Sequence, residues 1–82
     1  MDIRKRIGLR IKELRTELKL TQEALAFKAE VDKTYLNEVE NGKRNVSVVN
    51  LEKIIVALEV TVKEFFNSTS FSEPVKKKKN HA

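Results

Sequence analysis

The chain has no cysteine. That excludes a disulfide framework, a thiolate metal site and a cysteine nucleophile. Tryptophan is also absent, proline and histidine occur once each, and glycine occurs twice. The single histidine, His81, stands alone near the C-terminus, so neither a histidine metal site nor a histidine base is expected in the folded part. Two glycines do not make a Gly-rich phosphate loop. No run of about 18 apolar residues is present, so no membrane span is expected. The N-terminal MDIRKRIGLRIKE is basic at first, but it carries helical periodicity and acidic residues and reads as part of the fold rather than a targeting segment. No catalytic constellation survives these absences. The expectation is a non-enzyme with no cofactor and no metal, at home in a reducing cytoplasm.

Charge and helical periodicity are what the chain does have. It has 82 residues and a formal net charge of +5, enough for one domain. Residues 1–67 hold 13 Lys/Arg against 11 Asp/Glu, whereas 68–82 hold 4 Lys against a single Glu. A basic balance points to a polyanion partner. Most of the excess lies in the last segment, so the argument rests on where individual charges fall.

Ile3, Ile7, Ile11, Leu14 and Leu18 recur every three or four residues and predict a first helix over roughly 2–19. Thr21 is a good N-cap for a second helix over roughly 22–29, with Leu25, Ala26 and Ala29 inward. Asp32 caps a third, roughly 33–40, with Leu36 and Val39 inward and Tyr35 partly so. Asn41-Gly42 ends it. Ser47 caps a fourth, about 48–58, with Val48, Leu51, Ile54, Ile55 and Leu58 on the core face. Thr61 and Glu64 form a capping box that opens a short fifth helix. The composition then shifts to Ser, Thr and Lys. Residues 1–67 are therefore read as the folded domain and 68–82 as a disordered basic tail. No strand-like alternation of useful length occurs, so the fold class is all-α with five helices.

The second and third helices are each about two turns long, too short to stand alone. Joined by a tight turn with small and apolar residues at the junction, they match a helix-turn-helix. The major groove admits one α-helix. The outer face of the third helix carries Lys33, Thr34, Asn37 and Glu38, whose chemistry suits base edges: Lys for guanine, Asn for adenine, Glu for cytosine, the Thr methyl for thymine. Around them Gln22, Asn41, Lys43, Arg44 and Asn45 are candidates for phosphate contact, and Thr21 opens the helix beside Gln22. An ordinary solvated helix face would look similar on residue chemistry alone.

Residues 21–45, TQEALAFKAEVDKTYLNEVENGKRN, resemble the helix-turn-helix of the phage-repressor-like (Xre, lambda-repressor-like) family. The shared features are Thr21-Gln22, Leu25-Ala26, Ala29, Val31, Tyr35-Leu36 and Val39-Glu40-Asn41-Gly42, and the similarity extends over most of residues 4–66. Within that family, DKTYLNEVENGKRNVS is most like the controller proteins of restriction–modification systems. The resemblance implies a compact five-helix DNA-binding domain. It also implies a cytoplasmic homodimer that binds a palindromic operator in double-stranded DNA and sets the timing of restriction-enzyme expression. Residues matching Lys33, Thr34, Tyr35, Asn37, Arg44 and Asn45 would approach DNA. Arg15 and Glu40 would form a structural ion pair between the first and third helices. RNA polymerase is carried as a further candidate partner. A stand-alone phage-type repressor and the antitoxin half of a toxin–antitoxin pair remain the alternatives. One departure stands out. The family usually has Gly where this chain has Glu30, and a left-handed non-Gly residue there costs on the order of 1–2 kcal/mol.

Val49, Val56 and Val60 fall outside the inward stripe of the fourth helix, and one of Phe65 and Phe66 is surplus to the core. Val49, Val56, Val60 and Phe66 are thus the expected dimer surface. Phe27 has no assigned role. Lys76–Lys79 could attract phosphate or merely keep the tail solvated.

Overall fold

A computed structural model describes residues 2–72. They form five α-helices: α1 (Ile3–Glu17), α2 (Gln22–Ala29), α3 (Lys33–Glu40), α4 (Val48–Ala57) and α5 (Val62–Phe66). A 3₁₀ turn, Thr69–Phe71, follows. No strand occurs among the described residues, and none of the helices described is long and apolar enough to cross a membrane.

Each helix starts where a side chain satisfies its orphan N–H groups. The Asp2 carboxylate accepts from the Arg4 and Lys5 amides. Thr21, Asp32 and Ser47 accept from Ala24, Tyr35 and Asn50 respectively. At α5 the capping box is complete: the Thr61 N–H donates to Glu64 Oε1 at 2.8 Å, and the Glu64 N–H donates to Thr61 Oγ1 at 3.0 Å. The backbone N–H of Thr61, and then its side chain, hold the Glu64 carboxyl below its ordinary range. The side chain of Arg4 and the amide of Lys5 do the same for Asp2.

The helix ends explain the tight connections. Three of them place a non-glycine residue in the left-handed region: Lys19 (φ 59°), Glu30 (φ 59°) and Glu59 (φ 63°). At Glu30 the turn closes with Val31 N–H donating to Ala26 C=O at 3.0 Å. Val31 then packs its side chain against the core. The position where the family carries Gly is therefore left-handed here too, and Glu30 bears the strain. Glu30→Gly is expected to stabilise the domain by about 0.5–1 kcal/mol, the strain relieved being partly offset by the freer unfolded chain. Urea unfolding monitored by circular dichroism tests this; an unchanged or lowered midpoint would show that the Glu30 side chain compensates.

The core is a single cluster. Ile11, Leu25, Leu36, Val39, Ile54, Ile55, Leu58 and Phe65 are essentially inaccessible. α1 packs on α3, and α2 packs on both α3 and α4. Two sequence expectations change. Val48, expected on the core face, is 81% exposed, because it is the first residue of α4 and no element covers that end; Ala57 is buried further along the helix. Leu18 and Ile3, at the ends of the predicted α1 stripe, are also exposed.

The folded unit also runs past residue 67, where the sequence reading ended it. Ser68 accepts from the Ser70 amide and opens the 3₁₀ turn. That turn packs on α1 and brings the Phe71 ring centroid to 4.9 Å from Phe66 and 6.2 Å from Phe65. An aromatic ring that can join two others does not stay in solvent. Residues 73–82, with Lys76–Lys79 and His81, lie outside the described residues.

Arg10 ties the two ends of the domain together. Its Nε donates to Phe65 C=O at 2.7 Å and its Nη2 to Glu64 C=O at 2.9 Å. A guanidinium therefore satisfies the last carbonyls of α5, where the helix dipole also favours a cation.

Candidate nucleic-acid interface

The α3 face is built from a buried anchor outward. Glu40 is the one buried charged residue among those described, at 5% exposure. Its carboxylate accepts from Arg15 Nε at 2.8 Å and Arg15 Nη2 at 3.1 Å. Arg15 also donates through Nη1 to Leu20 C=O, at the exit of α1. A buried carboxylate is tolerated only when paired and hydrogen-bonded in this way. The bidentate pair joins α1 to the end of α3.

The same carboxylate reaches the exposed polar side of α3 through Gln22. Gln22 Nε2 donates to Glu40 Oε1 at 3.0 Å, and Gln22 Oε1 accepts from Asn37 Nδ2 at 3.1 Å. Asn37 Oδ1 in turn accepts from Asn41 Nδ2 at 3.3 Å. The chain of bonds Arg15–Glu40–Gln22–Asn37–Asn41 thus runs from interior to surface. Asn37 uses one of its two amide hydrogens and one of its two oxygen lone pairs within the protein. One donor and one acceptor remain, the pair that adenine requires. Gln22, expected to touch phosphate, likewise spends one amide hydrogen and one oxygen lone pair inside the protein and keeps one of each. Its structural work is to orient Asn37.

Lys33 and Thr34 stand exposed in the first turn of α3, on the same outward side as Asn37. Glu38 lies one turn beyond Thr34. Its carboxylate pairs with Arg44 Nε at 3.2 Å. The Arg44 guanidinium also lies over the Tyr35 ring, 4.9 Å from its centroid. The Tyr35 hydroxyl accepts from Asn50 Nδ2 at 3.2 Å. Asn50 sits in the first turn of α4, and nothing in the sequence marked it, since its spacing reads as an ordinary helix position after the Ser47 cap. Lys43 and Asn45 are exposed in the loop that follows Gly42. Thr21 spends its hydroxyl oxygen as the α2 cap.

Glycine is required at Gly42. Its φ is +74°, and a Cβ there would lie 2.5 Å from Lys5 Cγ. That turn directs the chain from α3 into the Lys43–Asn45 loop, with the Lys43 N–H closing onto Glu38 C=O at 2.9 Å.

With this geometry in place, the likeness to known proteins is specific. The helix-turn-helix family profile matches residues 11–65. Control protein C.MunI of a Mycoplasma species is 49% identical over 67 residues, covering 80% of this chain and 90% of that protein. The chain belongs to the helix-turn-helix family, among the restriction–modification controller proteins. The controller protein C.AhdI from Aeromonas hydrophila superposes with a TM-score of 0.74 at 44% identity, over 77% of this chain and 96% of that one. The controller protein C.Esp1396I, solved as a tetramer in complex with its natural 35 base-pair operator, superposes with a TM-score of 0.74 at 38% identity, covering 77% and 83% of the two chains. A controller-type domain is a DNA-binding transcriptional regulator, and its fold is the five-helix arrangement described above.

Of the residues expected at a dimer surface, Val49, Val56 and Phe66 are exposed. Val49 and Phe66 line a groove together with Val48, Leu51, Ile55 and Val62. Val56 lies in a neighbouring depression with Lys28, Glu30 and Lys53. Val60 is half-buried and packs against the core. Phe66 is shared. Its ring packs edge-on against Phe65 at 4.9 Å and touches Phe71, yet it is still 36% exposed.

Proposed function

We propose that this controller protein binds a roughly palindromic operator as a homodimer in the cytoplasm and regulates transcription within a restriction–modification system. The observation that carries this is the exposed polar face of α3 held rigid from behind by the buried Arg15–Glu40 pair through Gln22. Side chains that read bases must be pre-oriented, and the polar groups of this surface are anchored into the interior. In the reading, Lys33, Thr34, Asn37 and Glu38 face base edges. Lys43, Arg44 and Asn45, with Asn41 and Thr21, meet the backbone, and Tyr35 holds Arg44 in place. Two α3 helices would enter successive major grooves about 34–36 Å apart. Two relatives support the controller assignment: C.Esp1396I was solved on its operator, and C.MunI shares nearly half its residues with this chain.

The test is footprinting on the DNA upstream of the gene, followed by binding assays on the protected duplex. Thr34→Ala is expected to weaken binding to that site by roughly five- to a hundredfold while sparing random DNA. Arg44→Ala should weaken binding to that site as well. If neither change matters, the α3 face is not the reading surface. In vitro transcription with purified RNA polymerase then separates activation from repression.

The dimer is assigned to the α4–α5 groove, where Val48, Val49, Val62 and Phe66 leave contiguous apolar surface. Val49→Asp is expected to give monomers in sedimentation equilibrium and to lower operator affinity at least tenfold. It sits on the surface, so stability should change little. An intact dimer would move the interface elsewhere. The antitoxin alternative loses ground. Phe71, which with Val75 supplies the large apolar side chains of residues 68–82, is already packed on Phe66.

A further inference from the structure

The Glu38–Arg44 pair lies on the face just assigned to DNA. It puts a carboxylate where a polyanion must come, and it occupies the arginine best placed to grip that polyanion. The loop is closed onto Glu38 twice: the Lys43 N–H bonds its carbonyl and the Arg44 side chain takes its carboxylate. Arg44 also rests on Tyr35, which Asn50 holds from α4. Both partners are about half exposed, with side-chain accessibilities of 49% and 41%. Such exposed pairs are individually weak, so a DNA phosphate can take Arg44 where the Glu38 carboxylate left behind finds another donor. Its departure leaves the Glu38 carboxylate unpaired in the groove. Among base edges, an exocyclic amine such as that of cytosine replaces the lost donor.

We propose that Glu38 gates Arg44 and is a specificity determinant of this protein: Arg44 transfers to the phosphate backbone at low cost only on sites that present a base amine to Glu38. This rests on the DNA-reading function proposed above. On non-cognate DNA Arg44 stays with Glu38, and non-specific affinity is held down. Glu38 thereby couples a base contact to a backbone contact.

The experiment compares wild type, Glu38→Gln, Arg44→Ala and the double variant. Each is titrated with salt on two duplexes: a site enriched by in vitro selection and a random-sequence duplex of the same length. On random duplex, Glu38→Gln should bind roughly fivefold tighter, the worth of one released exposed ion pair. The slope of log K against log salt should steepen by about 0.9 per protomer, as one more cation reaches phosphate. Its preference for the selected site should shrink accordingly. In the Arg44→Ala background, Glu38→Gln should change neither quantity. Equal gains in both backgrounds would make Glu38 a plain repulsive charge and overturn the gate, as would no gain in either. Both of those results leave the DNA-reading surface standing. If instead wild type enriches no sequence, the reading surface falls and the gate with it.

Discussion

Arg15→Ala is expected to remove about 3–5 kcal/mol of stability, the usual cost of stranding one member of a buried pair. A domain of this size has about 4–10 kcal/mol in total, so the variant should lose roughly half of its stability. The Glu40 side chain is 2% exposed, and Arg15 provides two of its three hydrogen bonds. Gln22 alone would remain to face a carboxylate with little access to water. Loss of the Arg15 bond to Leu20 C=O also removes a donor from the α1–α2 connection. Urea unfolding measures the loss directly. The double replacement Arg15→Met with Glu40→Leu separates stability from function. Apolar residues of similar volume in place of a buried pair are often neutral for stability. DNA affinity should stay low in that variant, because Gln22 loses the group that orients it and Asn37 is no longer held. A double variant that is both stable and fully active would break the proposed link between the buried pair and the reading face. If Arg15→Ala cost less than about 1 kcal/mol, the pair would be behaving as a surface one.

The parts of this molecule that were legible in the sequence are those fixed by neighbours in the chain. Thr21, Asp32, Ser47 and Thr61 each mark a helix start because a cap acts over three residues, a distance the sequence displays. The outward set Lys33, Thr34, Asn37 and Glu38 follows from Leu36 and Val39 turning inward. What the sequence hides is what residues far apart do to each other. Arg10 reads as one more charge on an amphipathic helix, yet it caps α5 some 55 positions away. Asn50 reads as a helix residue and holds Tyr35. Phe71 reads as a stray aromatic in a polar tail and closes a three-ring cluster. Gln22 reads as a site residue from its place at the start of α2, but only the fold shows that its amide bridges Glu40 and Asn37. The strained turn at Glu30 came to notice through family resemblance. Lys19 and Glu59 adopt the same left-handed conformation, and nothing in residue type announces them.

Gly8 is the clearest instance of such a hidden constraint, and replacing it is expected to have the second largest effect. Glycine inside a helix is ordinarily a liability of about 0.5–1 kcal/mol relative to alanine. On that ground Gly8→Ala should stabilise α1. The packing reverses the sign. A Cβ at position 8 would lie 2.4 Å from Glu40 O and 2.5 Å from Val39 O. Both are backbone atoms of the last turn of α3, so no side chain can rotate away to make room. The two helices must separate by several tenths of an ångström, and overpacking of this kind costs about 1–3 kcal/mol or more. The net expectation is a loss of about 2 kcal/mol and a melting temperature lower by about 8–16 °C. Lys12→Ala, on the exposed side of the same helix, should leave the melting temperature nearly unchanged. The displaced atoms belong to the residue that carries the buried carboxylate and to the turn leading into Gly42 and the Arg44 loop. Operator affinity should therefore fall further than the folded fraction alone accounts for, in measurements made well below the melting transition. A Gly8→Ala protein that melts at or above wild type would mean that α1 and α3 can move apart freely. The close crossing would then not be what sets the angle of the reading helix.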